Sequence, residues 1–230
     1  MNMKLNTEIT ESKKRPVYYH LGVGAISLLC LTTFLIIANI AKEAKLISFD
    51  TVIRDLFIAE TESFVFQLFG VITWFGTTPG VIIFLIVMFG VLAFVYRDYR
   101  GALLLITMVI LTNELNKLLK DFFQRERPSI NSAIEAIGYS FPSGHAMTGL
   151  LAYGLATYLL LNKHKSFKVS LVVGISGAIF ILLLGFSRIV LSAHYPTDVL
   201  AGHLMGLTLL IFSIYLYQWL RRKEVPRPTK

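Results

Sequence analysis

Three short clusters combine cations, histidines and a carboxylate in spacings that can do chemistry. They are Lys120-x6-Arg127-Pro128, then Pro142-Ser143-Gly144-His145, then Ser187-Arg188-x5-His194-x3-Asp198. Lys120, Arg127 and Arg188 supply positive charge. An arginine fork matches phosphate oxygens bidentately, and a lysine acts as a point charge. Ser143 and Gly144 precede an apolar helical stretch, whose first N–H groups can bind an anion. His194 and Asp198 are four apart, so a carboxylate can hold one imidazole nitrogen and leave the other to attack. Pro196 suits the first turn of a helix and puts Asp198 near its favourable dipole end. His145 is then left as a general acid. Together the clusters describe a phosphoryl-transfer site.

The elements that must position them are long apolar runs. The 230 residues are 55% hydrophobic and only 16% charged, with a mean hydropathy of +0.65. Soluble domains carry roughly 25% charged residues. An all-α membrane bundle is predicted, with spans near 17–41, 79–95, 101–119, 145–161, 169–190 and 197–220. Residues 42–61 read as an interfacial amphipathic helix, with Val52, Ile53, Leu56 and Phe57 on one face. Phe64 to Ile72 is too short a run to span and reads as interfacial or re-entrant. Residues 1–16 form a polar N-terminus, 17–220 the membrane domain with its motifs in 120–198, and 221–230 a basic tail. The single cysteine, Cys30, excludes an internal disulfide.

The net charge of +8 lies between the apolar runs, and no nucleic-acid module accompanies it. Most of the 22 basic residues fall on the side that holds both termini. The positive-inside rule makes that side cytoplasmic. Tyr96, Tyr99, Tyr215, Tyr217 and Trp219 fit an aromatic belt there. All three clusters then face outward, in a plasma membrane.

The clusters resemble the three-part signature of the type 2 phosphatidic acid phosphatase family, and every signature residue is present with the family's internal spacing. The resemblance covers roughly residues 79–220, and the first 78 residues carry no diagnostic motif. It implies that His194 attacks phosphorus to form a phosphohistidine and that Asp198 orients it. His145 protonates the leaving oxygen and then activates water. Lys120, Arg127, Ser143, Gly144 and Arg188 hold the phosphate. It also implies that no metal or other cofactor is needed. The vanadium haloperoxidases share this pocket chemistry but are large soluble proteins. The expected substrate is a lipid phosphate, with phosphatidylglycerophosphate preferred over undecaprenyl pyrophosphate. A lipid phosphotransferase and a transporter with a vestigial site are the alternatives. No obligate protein partner is inferred.

Plainer readings apply elsewhere. Lys42, Lys45 and Arg54 are expected to snorkel to the interface. Ser143 and Gly144 are expected to cap a helix as well as bind phosphate. His203 is expected to be a packed core residue. His20 and His164 are expected to be solvated and receive no role. Arg125 is expected to meet only an anionic head group. The stripe Asn113, Asn116, Lys117, Lys120 fits either interhelical hydrogen bonds or a pocket wall.

Overall fold

The computed structural model describes residues 17–42, 46–128, 138–163 and 166–222. The regular structure in them is helical: α1 (Val17–Lys42), α2 (Ile47–Phe57), α3 (Phe64–Trp74), α4 (Thr78–Gly90), α5 (Tyr99–Phe123), α6 (Gly144–Leu161), α7 (Phe167–Val190) and α8 (Pro196–Arg222). A π-helical turn, Val91–Val95, extends α4. Six of these elements are long and apolar enough to cross a membrane, beginning with Val17–Ala41 and Thr78–Val95. The spans agree with the hydropathy reading to within a few residues. The chain outside the described residues includes His164, Lys45 and residues 129–137 of the loop between α5 and α6.

Local chemistry sets the helix ends. Ser63 Oγ accepts from the Phe66 amide at 3.1 Å, and Thr77 Oγ1 from the Gly80 amide at 3.3 Å, with Pro79 in the first turn. Asp98 Oδ1 accepts from the Gly101 amide at 2.9 Å and starts α5. Gln124 ends α5 in the left-handed region, φ 49°, its N–H bonded to Lys120 O at 2.9 Å. That reversal turns Arg125 and Arg127 back over the end of the bundle.

Helix α6 is the hub, packed on α5, α7 and α8. Its Leu151, Leu155 and Leu159 are buried with Leu105 and Met108 of α5. Two glycines of α8 let the α6 backbone come close. A Cβ on Gly202 would stand 2.6 Å from Ser143 O, and one on Gly206 2.8 Å from Met147 O. Small residues at a helix crossing allow such contact in a membrane, where packing drives association. Here the crossing also fixes Ser143.

Helix α2 carries the expected apolar stripe outward, with Val52, Leu56 and Phe57 exposed. Its inward anchor is Asp50, which is wholly buried. Arg54 does not snorkel: its side chain is 12% exposed and forks onto Asp55 at 2.8 and 2.6 Å. The side chains of Lys42 and Lys45 lie outside the described residues.

At the end of the bundle away from the motifs, Asp98 ion-pairs with Lys163 and accepts from the Tyr217 hydroxyl. Burial pushes the Asp98 carboxyl up, but the bonds from Lys163, Tyr217 and Gly101 outweigh it and hold the group below its ordinary value. Tyr217 is therefore a buried clasp, 2% exposed, and not part of an aromatic belt. His20 is also corrected. Its Nδ1 lies 3.0 Å from Tyr215 Oη and joins α1 to α8 instead of facing solvent.

Candidate active site

The end of α5, the start of α6, the end of α7 and the start of α8 meet at one end of the bundle, because each helix reverses the one before. Lys120 stands in the last turn of α5. Ser143 precedes α6, which Gly144 and His145 begin. Arg188 lies in the last turn of α7, His194 in the turn that follows, and Asp198 in the first turn of α8. His194, Asp198, Arg188 and Ser143 are all buried.

The hydrogen bonds assign the state of His194. Arg127 Nη1 lies 3.0 Å from His194 Nε2. A guanidinium has donors only, so Nε2 must be the bare nitrogen. Nδ1 then carries the proton and faces Ser140 and Asp198. Burial, and then Arg127, Arg188 and Lys120, push the imidazole well below its ordinary range. The ring is neutral, with its lone pair among cations. Arg127 is also fixed by bonds to Gly138 O at 2.8 Å and Ala193 O at 2.7 Å.

The expected direct His194–Asp198 hydrogen bond is corrected. Nδ1 and Asp198 Oδ2 are 3.6 Å apart. Ser140 stands between them, its Oγ donating to Oδ2 at 2.5 Å and lying 3.3 Å from Nδ1. The Ser140 backbone also bonds the ring. The Tyr195 amide adds a 2.9 Å bond to Oδ2. Asp198 thus reaches His194 through Ser140 and not by a direct hydrogen bond.

Arg125 was expected to meet only lipid head groups, but it is 6% exposed and inside the site. Its Nη1 donates to Asp198 Oδ1 at 2.5 Å and to Thr197 Oγ1 at 2.9 Å, and its Nη2 to Asp50 Oδ2 at 2.6 Å. Burial works against this charge, but the two carboxylates outweigh it and raise the group.

Three contacts come from the corner between α3 and α4 that the sequence reading did not foresee. Arg188 Nη1 donates to Thr73 Oγ1 at 2.6 Å. The His145 ring bonds the Thr73 backbone, and Nε2 has no partner, so Nδ1 is the bonded nitrogen. A Cβ on Gly76 would come within 2.8 Å of His145 Cγ. Residues 64–78, which carry no motif, therefore form a wall of the site.

Ser143 precedes α6 but makes no side-chain cap bond, against expectation. Among the described residues, Ser143 Oγ, His145 Nε2 and Arg188 Nε are buried polar atoms without partners. Such atoms are rare in folded proteins. Ser143 and His145 stand at the start of α6, whose first N–H groups have no partner within the helix, and His145 and Arg188 line one cavity with Lys120. This is a candidate cradle for a tetrahedral anion. A cavity of about 1150 Å³ opens from it, lined by Lys120, His145 and Arg188, then Lys117 and Asn113, then apolar residues such as Ile82 and Ile110. The polar stripe of α5 resolves into both of its readings. Asn116 Nδ2 donates to Pro142 O at 3.2 Å and holds the second motif, and Lys117, paired with Glu114 at 2.7 Å, lines the cavity. His203 is packed against Gly185, as expected.

Residues 101–222 match the model of the PAP2 superfamily. The chain belongs to the PAP2 superfamily. Its PAP2 relatives include phosphatidylglycerophosphatase B of Bacillus subtilis, 36% identical over 56% of this chain and 64% of that protein. An undecaprenyl-diphosphatase of Sulfolobus acidocaldarius is 33% identical over 34% of each. The chain thus spans less than two thirds of the length of these relatives. The crystal structure of a transmembrane PAP2 type phosphatidylglycerolphosphate phosphatase from Bacillus subtilis superposes with a TM-score of 0.76. It is 26% identical and covers 88% of this chain and 98% of that one.

Proposed function

We propose that this chain is a membrane lipid phosphatase that hydrolyses phosphatidylglycerophosphate to phosphatidylglycerol through a phosphohistidine on His194. The observation that carries the reading is the bare His194 Nε2 among Arg127, Arg188 and Lys120, with the partnerless His145 Nε2 in the same cradle. A phosphate in that cradle places phosphorus before the lone pair. Arg127 shifts from Nε2 to phosphate oxygens. The N–P bond forms as the bond to the leaving oxygen breaks, and the cations stabilise the equatorial charge. The bound phosphate's negative charge favours a protonated His145, whose Nε2–H then goes to the leaving alkoxide. The same nitrogen next accepts a proton from water, which attacks the phosphohistidine and releases inorganic phosphate.

The cavity supports the choice of substrate. Lys117 is three residues before Lys120, about 4.5 Å along the helix axis. A phosphatidylglycerophosphate whose terminal phosphate meets Lys120 can place its second, diester phosphate beside Lys117 and its chains on Ile82 and Ile110. The names of the Bacillus subtilis relatives agree with this choice. The other reading is an undecaprenyl pyrophosphate phosphatase, favoured by the Sulfolobus relative. The site faces outward with both termini cytoplasmic, on the positive-inside argument.

The test is free-phosphate release from a panel of pure lipids by purified protein in detergent containing a chelator. Phosphatidylglycerophosphate should turn over fastest. A preference for undecaprenyl pyrophosphate would replace the substrate, and strict dependence on added magnesium would overturn the mechanism.

A further inference from the structure

Two buried carboxylates, Asp50 on α2 and Asp198 on α8, share one buried guanidinium, Arg125. The reading of His194 as the nucleophile uses Asp198 and leaves Asp50 without a role. Yet Asp50 is 0% exposed and fully engaged. Its Oδ2 accepts from Arg125 Nη2 and from Thr197 Oγ1, both at 2.6 Å, and its Oδ1 from the Thr197 amide at 3.0 Å. A carboxylate is not taken out of water in this way without a strong partner.

We infer that Asp50 is a positioning residue, which neutralises Arg125 so that the negative charge of Asp198 remains available to His194. The inference rests on the nucleophile assignment proposed above. Two carboxylates and one guanidinium leave the buried group with one negative charge. Without the charge of Asp50, Arg125 and Asp198 cancel. His194 is faced by Lys120 of α5, Arg127 of the following segment, His145 of α6 and Arg188 of α7. Asp198 is the carboxylate 3.6 Å from its Nδ1. The imidazole becomes cationic when Nε2 bonds to phosphorus. With Asp198 cancelled, that cation would form with no net carboxylate charge on its Nδ1 side, and the transition state that leads to it would rise.

A purely structural role is the competing explanation, because Asp50 also ties α2 to the first turn of α8 through Thr197. Charge and shape separate in a double-mutant cycle. Asp50→Asn keeps an oxygen for Thr197 but removes the charge. Arg125→Gln removes the guanidinium and leaves two facing carboxylates. The pair Asp50→Asn with Arg125→Gln restores one net negative charge.

The experiment measures kcat, KM and the pH profile on phosphatidylglycerophosphate for the detergent-purified full chain. It also measures radiolabel trapped from the terminal phosphate. Asp50→Asn should lower kcat about tenfold to a hundredfold, as loss of an orienting partner does elsewhere, with KM changed less than about twofold. The acid limb of kcat should move to lower pH, because the His194 cation is less favoured. Arg125→Gln alone should also be impaired. The double variant should recover most of kcat and return the acid limb. A double variant as slow as or slower than Asp50→Asn would overturn the inference, and so would a wild-type rate in Asp50→Asn. If Asp50→Asn does not fold while the double variant does, the rescue is again the expected result. If neither folds, Asp50 is a folding residue and the inference fails. Wild-type enzyme that never carries label on His194 would sink the mechanism, whatever Asp50 does.

Discussion

Arg188 donates a 2.6 Å hydrogen bond to the hydroxyl of Thr73, 115 positions earlier in the chain. The bond couples Arg188, proposed above to hold phosphate, to the short helix α3, whose own residues show no motif. A hydrogen bond to a charged group contributes about 1.5–3 kcal/mol. Thr73→Val should therefore lower kcat/KM about tenfold to a hundredfold. Gly76→Ala should cost more, because its new Cβ displaces the His145 ring. Steady-state kinetics on both variants tests the coupling. A wild-type kcat in Gly76→Ala would show that the α3–α4 corner does not shape the site.

Activity should persist well into acid. The folded His194 lies below the ordinary imidazole range because it is buried and ringed by cations. In the proposed mechanism the attacking form is neutral, so the acid limb of kcat/KM should fall below the usual histidine value of about 6.5. The linkage has the same sign. Above that value both folded and unfolded states hold a neutral ring. As pH falls toward the depressed folded value, only the unfolded state gains the proton and stability is lost. An acid limb at or above about 6.5 that disappears in a His194 variant would contradict the assigned electrostatics.

Arg188→Lys should lose about tenfold or more in kcat/KM although charge is kept. The three donors of a lysine diverge from one nitrogen and cannot reproduce the planar fork in which Nη1 holds Thr73 while Nε is left without a partner. A near-wild-type rate would mean that Arg188 supplies field alone.

The two histidines should separate by substrate. His194→Ala should form no phosphoenzyme from any lipid. His145→Ala should slow the first step on a monoester strongly, since general acid catalysis is typically worth about 10²–10⁴. A pyrophosphate leaves as a phosphate, whose second pKa is about 6, and scarcely needs that proton. His145→Ala should then still trap label from a pyrophosphate lipid and stall. Equal trapping from both lipid types would refute the acid role of His145.

Lys117→Ala should impair phosphatidylglycerophosphate more than phosphatidic acid, which lacks the second phosphate. Competition between the two lipids in mixed micelles measures the difference. An equal loss on both would remove Lys117 from substrate choice.

What the sequence could reveal follows from range. Lys120, Ser143, His145, Arg188, His194 and Asp198 lie in short motifs at helix ends, and the alternation of apolar runs brings those ends together. The partners that set their state come from far away. Asp50 reaches Arg125 across 75 positions and Thr197 across 147. In sequence it is an ordinary first-turn acid of a surface helix. The signal that could have found it is the cost of an acid in a segment facing lipid, which calls for a partner. Ser140 and Thr73 carry no signal of that kind. Ser143 departs from the expected cap because its hydroxyl is buried without a partner and makes no bond back to its own helix. Tyr217 reads as a belt residue in the sequence because its partner Asp98 lies 119 positions away.

The contact between Arg127 and His194 Nε2 has a consequence for chemical selectivity. A lone pair that accepts from a guanidinium is sheathed against small electrophiles, which offer the guanidinium nothing better to bind. A phosphate dianion does, because it competes for the same N–H groups with full charges. Neutral acylating or alkylating reagents should find a histidine that is chemically quiet, and a phosphate ester one that is live.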